Sequence, residues 1–345
     1  MRARGAVLLA ILTLIGCSTG PSESASRAPE ASSSASAPAS TGSGATVRLV
    51  GTGPVLEASR FEGKDAILPA AFLMSNTTYH AFLVGFGEER GDQRPYYGSS
   101  ADGVTWSIAD ADPLAELGLD LYPPGPIPTS VFDQLDGTWT MYLWGVTDPS
   151  GFRSSIWRAK ATDPAGPWIA DPEPVLRGDA DGWDSLGVDS PSVARTEDGY
   201  AMAFVGASLE DRNQAHIGLA TSEDGITWTK RPDPIIDPGH CGDYDNRSVT
   251  QPRLLYAAPD GFLLAYSGNG LTRNDAAIGL STSVDGATWT CAAPKPLLDR
   301  PDVPGSQGIH TIALAEGRDG RRLLIESLID GGSELWMAEL VSAYP

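Results

Sequence analysis

Beyond residue 46 the chain alternates short apolar runs with turn dipeptides. The turns Asp136-Gly137, Asp198-Gly199, Asp260-Gly261 and Asp319-Gly320 each separate two such runs, for example Ser192–Ala194 and Tyr200–Gly206. Apolar runs on both sides of an Asp-Gly pair predict β-hairpins. A second pattern is laid over the hairpins. Ser-x-Asp-Gly-x-Thr-Trp occurs at Ser100–Trp106, Ser222–Trp228 and Ser283–Trp289, with a degenerate copy at Thr162–Trp168. Successive Trp residues are 62, 60 and 61 positions apart. A third marker, Pro followed by apolar residues, follows each Trp at Pro113, Pro174, Pro234 and Pro296, and an in-phase copy at Pro54 precedes them all. A period near 60 residues is that of a four-stranded propeller blade.

Five copies in phase predict an all-β fold, a five-bladed β-propeller. The last blade, His310 to Val341, has three strands and no trailing one, so residues 48 to 56 are expected to pair with it and close the ring. Closure removes an open sheet edge that would otherwise template aggregation. Strand parity then sorts the loops onto two faces. The Asp-Gly and Asp-Gly-x-Thr-Trp turns fall on a far face, where Gly relieves the turn, Asp caps backbone N–H groups and Trp wedges between blades. The loops joining second and third strands fall on the near face: 86–95, 144–154, 205–216, 267–277 and 327–334. They are rich in Glu, Asp, Arg and Asn, and converging polar loops on a rigid scaffold are where ligands bind.

The segment Ile217–Trp228 and its copy Ile278–Trp289 resemble the five-bladed propellers of the arabinanase, invertase and levansucrase superfamily. The resemblance covers most of residues 46 to 343. It implies glycoside-hydrolase chemistry with a base Asp in blade one, an orienting Asp in blade three and an acid Glu in blade four. Inversion needs the acid and base carboxylates about 6.5–9.5 Å apart, and a further charge keeps their pKa values apart. Position by position, Asp189 before Ser190-Pro191 matches the orienting Asp. Asp65 stands four residues before Pro69 in blade one and is the candidate base. The acid position falls at Thr250 or Gln251, neither of which can donate a proton as a general acid, and this is the departure from the family pattern. Asp245, Glu88 and Glu210 are the carboxylates on neighbouring loops that could substitute. Arg247, Gln251, His310 and Glu88 are the candidate substrate-binding residues. Arg247 and Arg253 suit sugar hydroxyls or a carboxylate, or alternatively a salt bridge to Asp184 or Asp245. His310 is read either as a holder of a structural cation in the propeller channel or as a satisfied channel-lining side chain. The pairs Phe61-Glu62, Trp183-Asp184 and Tyr244-Asp245 recur at one place in three blades, which marks an architectural device.

The N-terminal segment adds a location. Arg2 and Arg4 precede the apolar run Ala6–Ile15, too short to remain as a membrane span. Leu14-Ile15-Gly16-Cys17 resembles the lipobox of bacterial lipoproteins. The expected organisation is therefore a signal peptide over 1–16, a lipidated Cys17 with a Ser/Ala/Pro-rich tether over 17–45, and a propeller domain over 46–345. The expected location is extracytoplasmic, anchored to the cell membrane by lipid. In that oxidising setting the remaining pair, Cys241 and Cys291, reads as a disulfide.

Charge narrows the partners. The balance of −20 becomes −22 once Arg2 and Arg4 leave with the signal. Such a surface argues against nucleic acid. No phosphate-binding Gly loop, Ser-His nucleophile pair or zinc-ligand spacing is present, so no cofactor is required. The functional expectation is a monomeric surface propeller that binds a carbohydrate and, if a second carboxylate is supplied, hydrolyses it. The alternative is a non-catalytic glycan-binding or protein-interaction propeller. A sialidase ranks below both, because its Asp-box carries one more residue between Asp and Gly and its propeller has six blades.

Overall fold

In a computed structural model the protein is described over residues 45–341, except 90, 135, 152, 318 and 319. The signal, lipobox and tether expectations, including Cys17, lie outside these residues, as does Asp319 of the last Asp-Gly turn. The described residues form four antiparallel sheets of nine, five, four and four strands, and the nine-stranded sheet is two blades joined at the single pair Ala276 with Ile309. Blade 1 contains Ala66–Ser75, Thr78–Phe86, Gln93–Ser100 and Ser107–Ile108. Blade 2 contains Tyr122–Asp133, Trp139–Val146, Ser154–Ala161 and Ile169–Ala170. Blade 3 contains Gly187–Thr196, Gly199–Ala207, Ala215–Ser222 and Thr229–Lys230. Blade 4 contains Ser248–Ala257, Gly261–Asn269, Ala276–Ser283 and Thr290–Cys291. Blade 5 has Gly308–Gly317, Gly320–Ile329 and Gly332–Val341, and its fourth strand is Thr46–Leu49 from the other end of the sequence.

That closing strand pairs Thr46 with Val341 and Leu49 with Ala338, and Leu56 and Glu57 then pair with Leu335 and Glu334. The expected closure is thus observed. The innermost strands touch their neighbours in a complete cycle, blade 5 lying against blade 1. Hydrogen bonds cross between them: Thr129 Oγ1 donates to Pro191 O, Leu254 N to Ser192 Oγ, and Arg253 Nε to Ile312 O. Apolar side chains fill the gaps between blades. Ile67 and Phe72 of blade 1 share one cluster with Ala313, Leu324 and Met337 of blade 5.

The repeated markers have the structural roles expected of them. In the first Asp-Gly-x-Thr-Trp turn, Asp102 Oδ1 accepts from Val104 N and Thr105 N, Ser100 Oγ accepts from Gly103 N, and Trp106 Nε1 donates to Gly103 O. These N–H groups hold the Asp102 carboxyl down at about pKa 2, and Asp224 in the third copy likewise. The third copy differs in one bond. Tyr142 of blade 2 donates its hydroxyl to Gly225 O, and the indole N–H of Trp228 has no partner. The Pro-apolar markers clip the outer edge: Val55 N, Val175 N, Ile235 N and Leu297 N donate to Leu335 O, Ile156 O, Ile217 O and Ile278 O. The Pro113 copy departs, because its Leu114 lies in a turn packed into the core and Pro113 O instead receives Trp168 N.

Trp168, from the degenerate copy, is fully buried against Phe82 of blade 1. Trp168→Ala is expected to cost about 3–5 kcal/mol, read as a lowered denaturant midpoint in equilibrium unfolding. A cost below about 1 kcal/mol would mean that the Trp wedge does not hold adjacent blades together.

Candidate functional site

The near face is built from one register shared by blades 1, 3, 4 and 5. The residue leading into each of their innermost strands donates its N–H to the end of the second strand: Asp65 to Phe86 O, Leu186 to Ala207 O, Arg247 to Asn269 O and Gln307 to Leu328 O. Three residues further on stand Leu68, Asp189, Thr250 and His310. Leu68, Ile127, Asp189 and Thr250 face the equivalent second-strand residues Val84, Trp144, Val205 and Ser267 across the sheet, and Glu326 of blade 5 holds that place beside His310. At this level every innermost strand carries one extra residue, which in blade 5 is His310 itself. The pairing shifts between Pro69 and Ala71, Pro128 and Ser130, Asp189 and Ser192, Thr250 and Arg253, and Ile309 and Thr311. Such bulges bend a strand and re-aim its side chains, often beside a binding site.

In blades 3 and 4 the bulge is strained. Ser190 and Gln251 adopt φ 49° and 51°, each directly before a proline. Left-handed backbone is costly for residues other than Gly and is held only where the surroundings over-determine it. The residue just before each strained position is Asp189 or Thr250. Asp189 is half-buried, with Val188 and Ser190 on either side of it buried. Burial pushes its carboxyl up to about 6, against a smaller lowering by a hydrogen bond from Ser190. His310 is buried, with Nδ1 2.7 Å from Glu326 Oε2. Burial alone would lower its pKa, but the Glu326 carboxylate outweighs this and holds it above the usual histidine value.

The residues named from sequence are therefore only partly brought together. Asp189, Thr250 and His310 share one ring. Asp65 does not belong to it. Asp65 precedes the strand, three residues before the position held by Leu68, and its carbonyl accepts from Ser333 N of blade 5. Arg247 and Asp65 instead hold equivalent lead-in positions in blades 4 and 1. Gln251 is the strained bulge residue, half-buried, and Glu88 and Glu210 are exposed on second-to-third-strand loops. Arg253 forms neither of the salt bridges considered for it. It is buried in the channel, donates to Ile312 O and Pro252 O, and is pushed down to about pKa 10 by burial. Among the described residues no group of three or more His, Cys, Asp or Glu could hold a metal ion.

Asp245 is excluded as a substitute acid. It is fully buried and accepts from Cys241 N, Gly242 N and the Tyr266 hydroxyl. Asp184 has the corresponding place in blade 3, accepting from Asp179 N and pairing with Lys230 Nζ at 2.6 Å. These carboxylates fix the loops that lead into the strands carrying Asp189 and Thr250. Each loop crosses its second strand at a glycine, where a Cβ on Gly206 would meet Trp183 at 2.5 Å and one on Gly268 would meet Asp245 at 2.6 Å. The loops are tied to the outer strands by different chemistry at one place. Lys230 closes blade 3 by its ion pair, and Cys291 closes blade 4 by its disulfide to Cys241.

Sequence reading missed Glu326 and Lys230. Glu326 had a signal, a single carboxylate after the apolar run Leu323-Leu324-Ile325. Lys230 had one too, since it stands 61 residues before Cys291.

No protein-family profile and no curated protein sequence matches the protein. Solved structures share its fold. A complex of BT0996 with RGII aligns over 82% of this protein and 88% of that one, at 14% identity and a TM-score of 0.64. A β-1,2-mannobiose phosphorylase from Listeria innocua, in complex with β-1,2-mannobiose, aligns over 85% and 96%, at 12% identity and 0.62. A thermostable family-43 glycoside hydrolase aligns over 82% and 91%, at 16% identity and 0.62. The protein thus has the fold of the propeller glycoside hydrolases, as its repeats indicated.

The raised carboxyl of Asp189 makes a pH prediction. A group whose folded pKa lies above its unfolded value supports folding fully below about pH 4 and loses that contribution as pH rises through about 6. Asp189→Asn should therefore match wild type near pH 4 and exceed it at pH 7.5 by about 1–3 kcal/mol, read by denaturant unfolding at both values. An equal difference at both pH values would show that Asp189 is not held in a desolvating site.

Proposed function

We propose that the mature protein is a lipid-anchored, extracytoplasmic and monomeric propeller that binds a carbohydrate at its near face. The observation that carries this reading is the composition of the ring at the channel mouth. Asp189 and Thr250 are half-exposed at this register and His310 is buried beside Glu326, while Leu68 and Ile127 of blades 1 and 2 are packed into the core. A few polar groups fixed on a rigid scaffold suit a sugar, which offers hydroxyls at its rim. Shared fold with a complex of β-1,2-mannobiose supports a sugar as the ligand. The innermost strands give this ring a single carboxylate, and Glu326 on the second strand of blade 5 is already paired with His310. Glycoside hydrolysis by inversion or retention uses two.

A second reading, glycosidic-bond cleavage, is favoured by one observation. With its carboxyl near pKa 6, Asp189 is partly protonated close to neutral pH and has the character of a proton donor. The second group would then come from the near-face loops, where Asp65 and Glu88 are the candidates, or from a phosphate acting as nucleophile.

The test is a glycan array probed with residues 46–345, wild type and Asp189→Ala. The expected result is selective binding to one glycan class, weakened at least tenfold in the variant while thermal unfolding remains cooperative. Binding that the variant leaves unchanged, or no binding to any glycan, would remove the ring as the site.

A further inference from the structure

The fold fixes which way the site faces. The third strand of blade 5, Gly332–Val341, starts at the near-face loop and ends on the far face. Thr46 pairs with Val341, so the first described strand starts on the far face too. The polypeptide then climbs to the near face before entering blade 1. The N-terminal segment therefore leaves from the side opposite the Asp189 ring.

We infer that the propeller stands on the membrane by its far face, with the Asp189 ring turned to the medium. Its ligand is then a glycan arriving from the aqueous side, and the ring faces away from glycolipid headgroups of the anchoring membrane. This rests on the lipid-anchor reading given above. Distance supports it. Ser18–Gly44 is 27 residues, and a segment of that length has a root-mean-square span of about 30 Å. A domain of about 300 residues is about 50 Å across, so bringing the near face to the bilayer would require a path of about 75 Å around its side.

The test uses the lipidated full-length protein in phosphatidylcholine vesicles. Val284→Cys places a thiol on the far face, where the side chain is 78% exposed, and Leu271→Cys places one on a near-face loop, where it is 70% exposed. The disulfide consumes Cys241 and Cys291, and lipidation consumes Cys17, so each variant offers one thiol to a fluorophore. A nitroxide on the lipid headgroup should quench the label at 284 at least twofold more than the label at 271. Equal quenching, or stronger quenching at 271, would overturn the orientation. If the protein fails to float with the vesicles, the anchor reading itself falls and the orientation with it.

Discussion

A propeller ring keeps its shape only while its last sheet is complete, and here the completing strand comes from the opposite end of the sequence. Thr46–Leu49 supplies the outer edge of blade 5, and the following residues cross to the near face and lead into blade 1. The joint buries the Ile67, Phe72, Leu324 and Met337 cluster. Burial at about 25 cal/mol per Å² of apolar surface is the largest favourable contribution to closure. The remaining blades contact one another in sequence, and their innermost strands stay side by side because the ring cannot open.

That constraint gives the near face its chemistry. Innermost strands held at one height present equivalent residues as a ring, and each bulge turns the backbone at the same level. In blades 3 and 4 the bulge takes left-handed backbone at Ser190 and Gln251, next to Asp189 and Thr250. The loops leading into these strands are fixed by buried carboxylates, Asp184 and Asp245, and tied outward by Lys230 in one blade and by the disulfide in the next. Asp189 is thus held by a rigid surround in a desolvating position, and such preorganisation serves ligand recognition as directly as catalysis.

Much of the fold was legible because a repeat writes its architecture several times. Trp and Asp-Gly positions in phase gave the blade length, and the missing fourth strand of the last blade gave the closure. Parity gave the two faces. The site was less legible because it depends on register within a strand. Asp65 is close to Pro69 in sequence, yet pairing puts Leu68 at the level of Asp189. The partner of His310, Glu326, lies on the neighbouring strand, and no local spacing points from one to the other. Asp245 shows the converse. Its recurrence beside an aromatic residue identified it as architectural, and its bonds to Cys241 N, Gly242 N and Tyr266 have that role.

The most direct measurement separates binding from cleavage on a single ligand. The glycan that the near face retains is incubated with residues 46–345, with and without inorganic phosphate, and the sugars are resolved by chromatography. For a propeller whose channel-mouth ring carries Asp189 as its one carboxylate, the glycan is recovered intact under both conditions. Release of a shorter sugar or a sugar phosphate, abolished by Asp189→Ala, would contradict the binding-only reading and make Asp189 the proton donor of an enzyme.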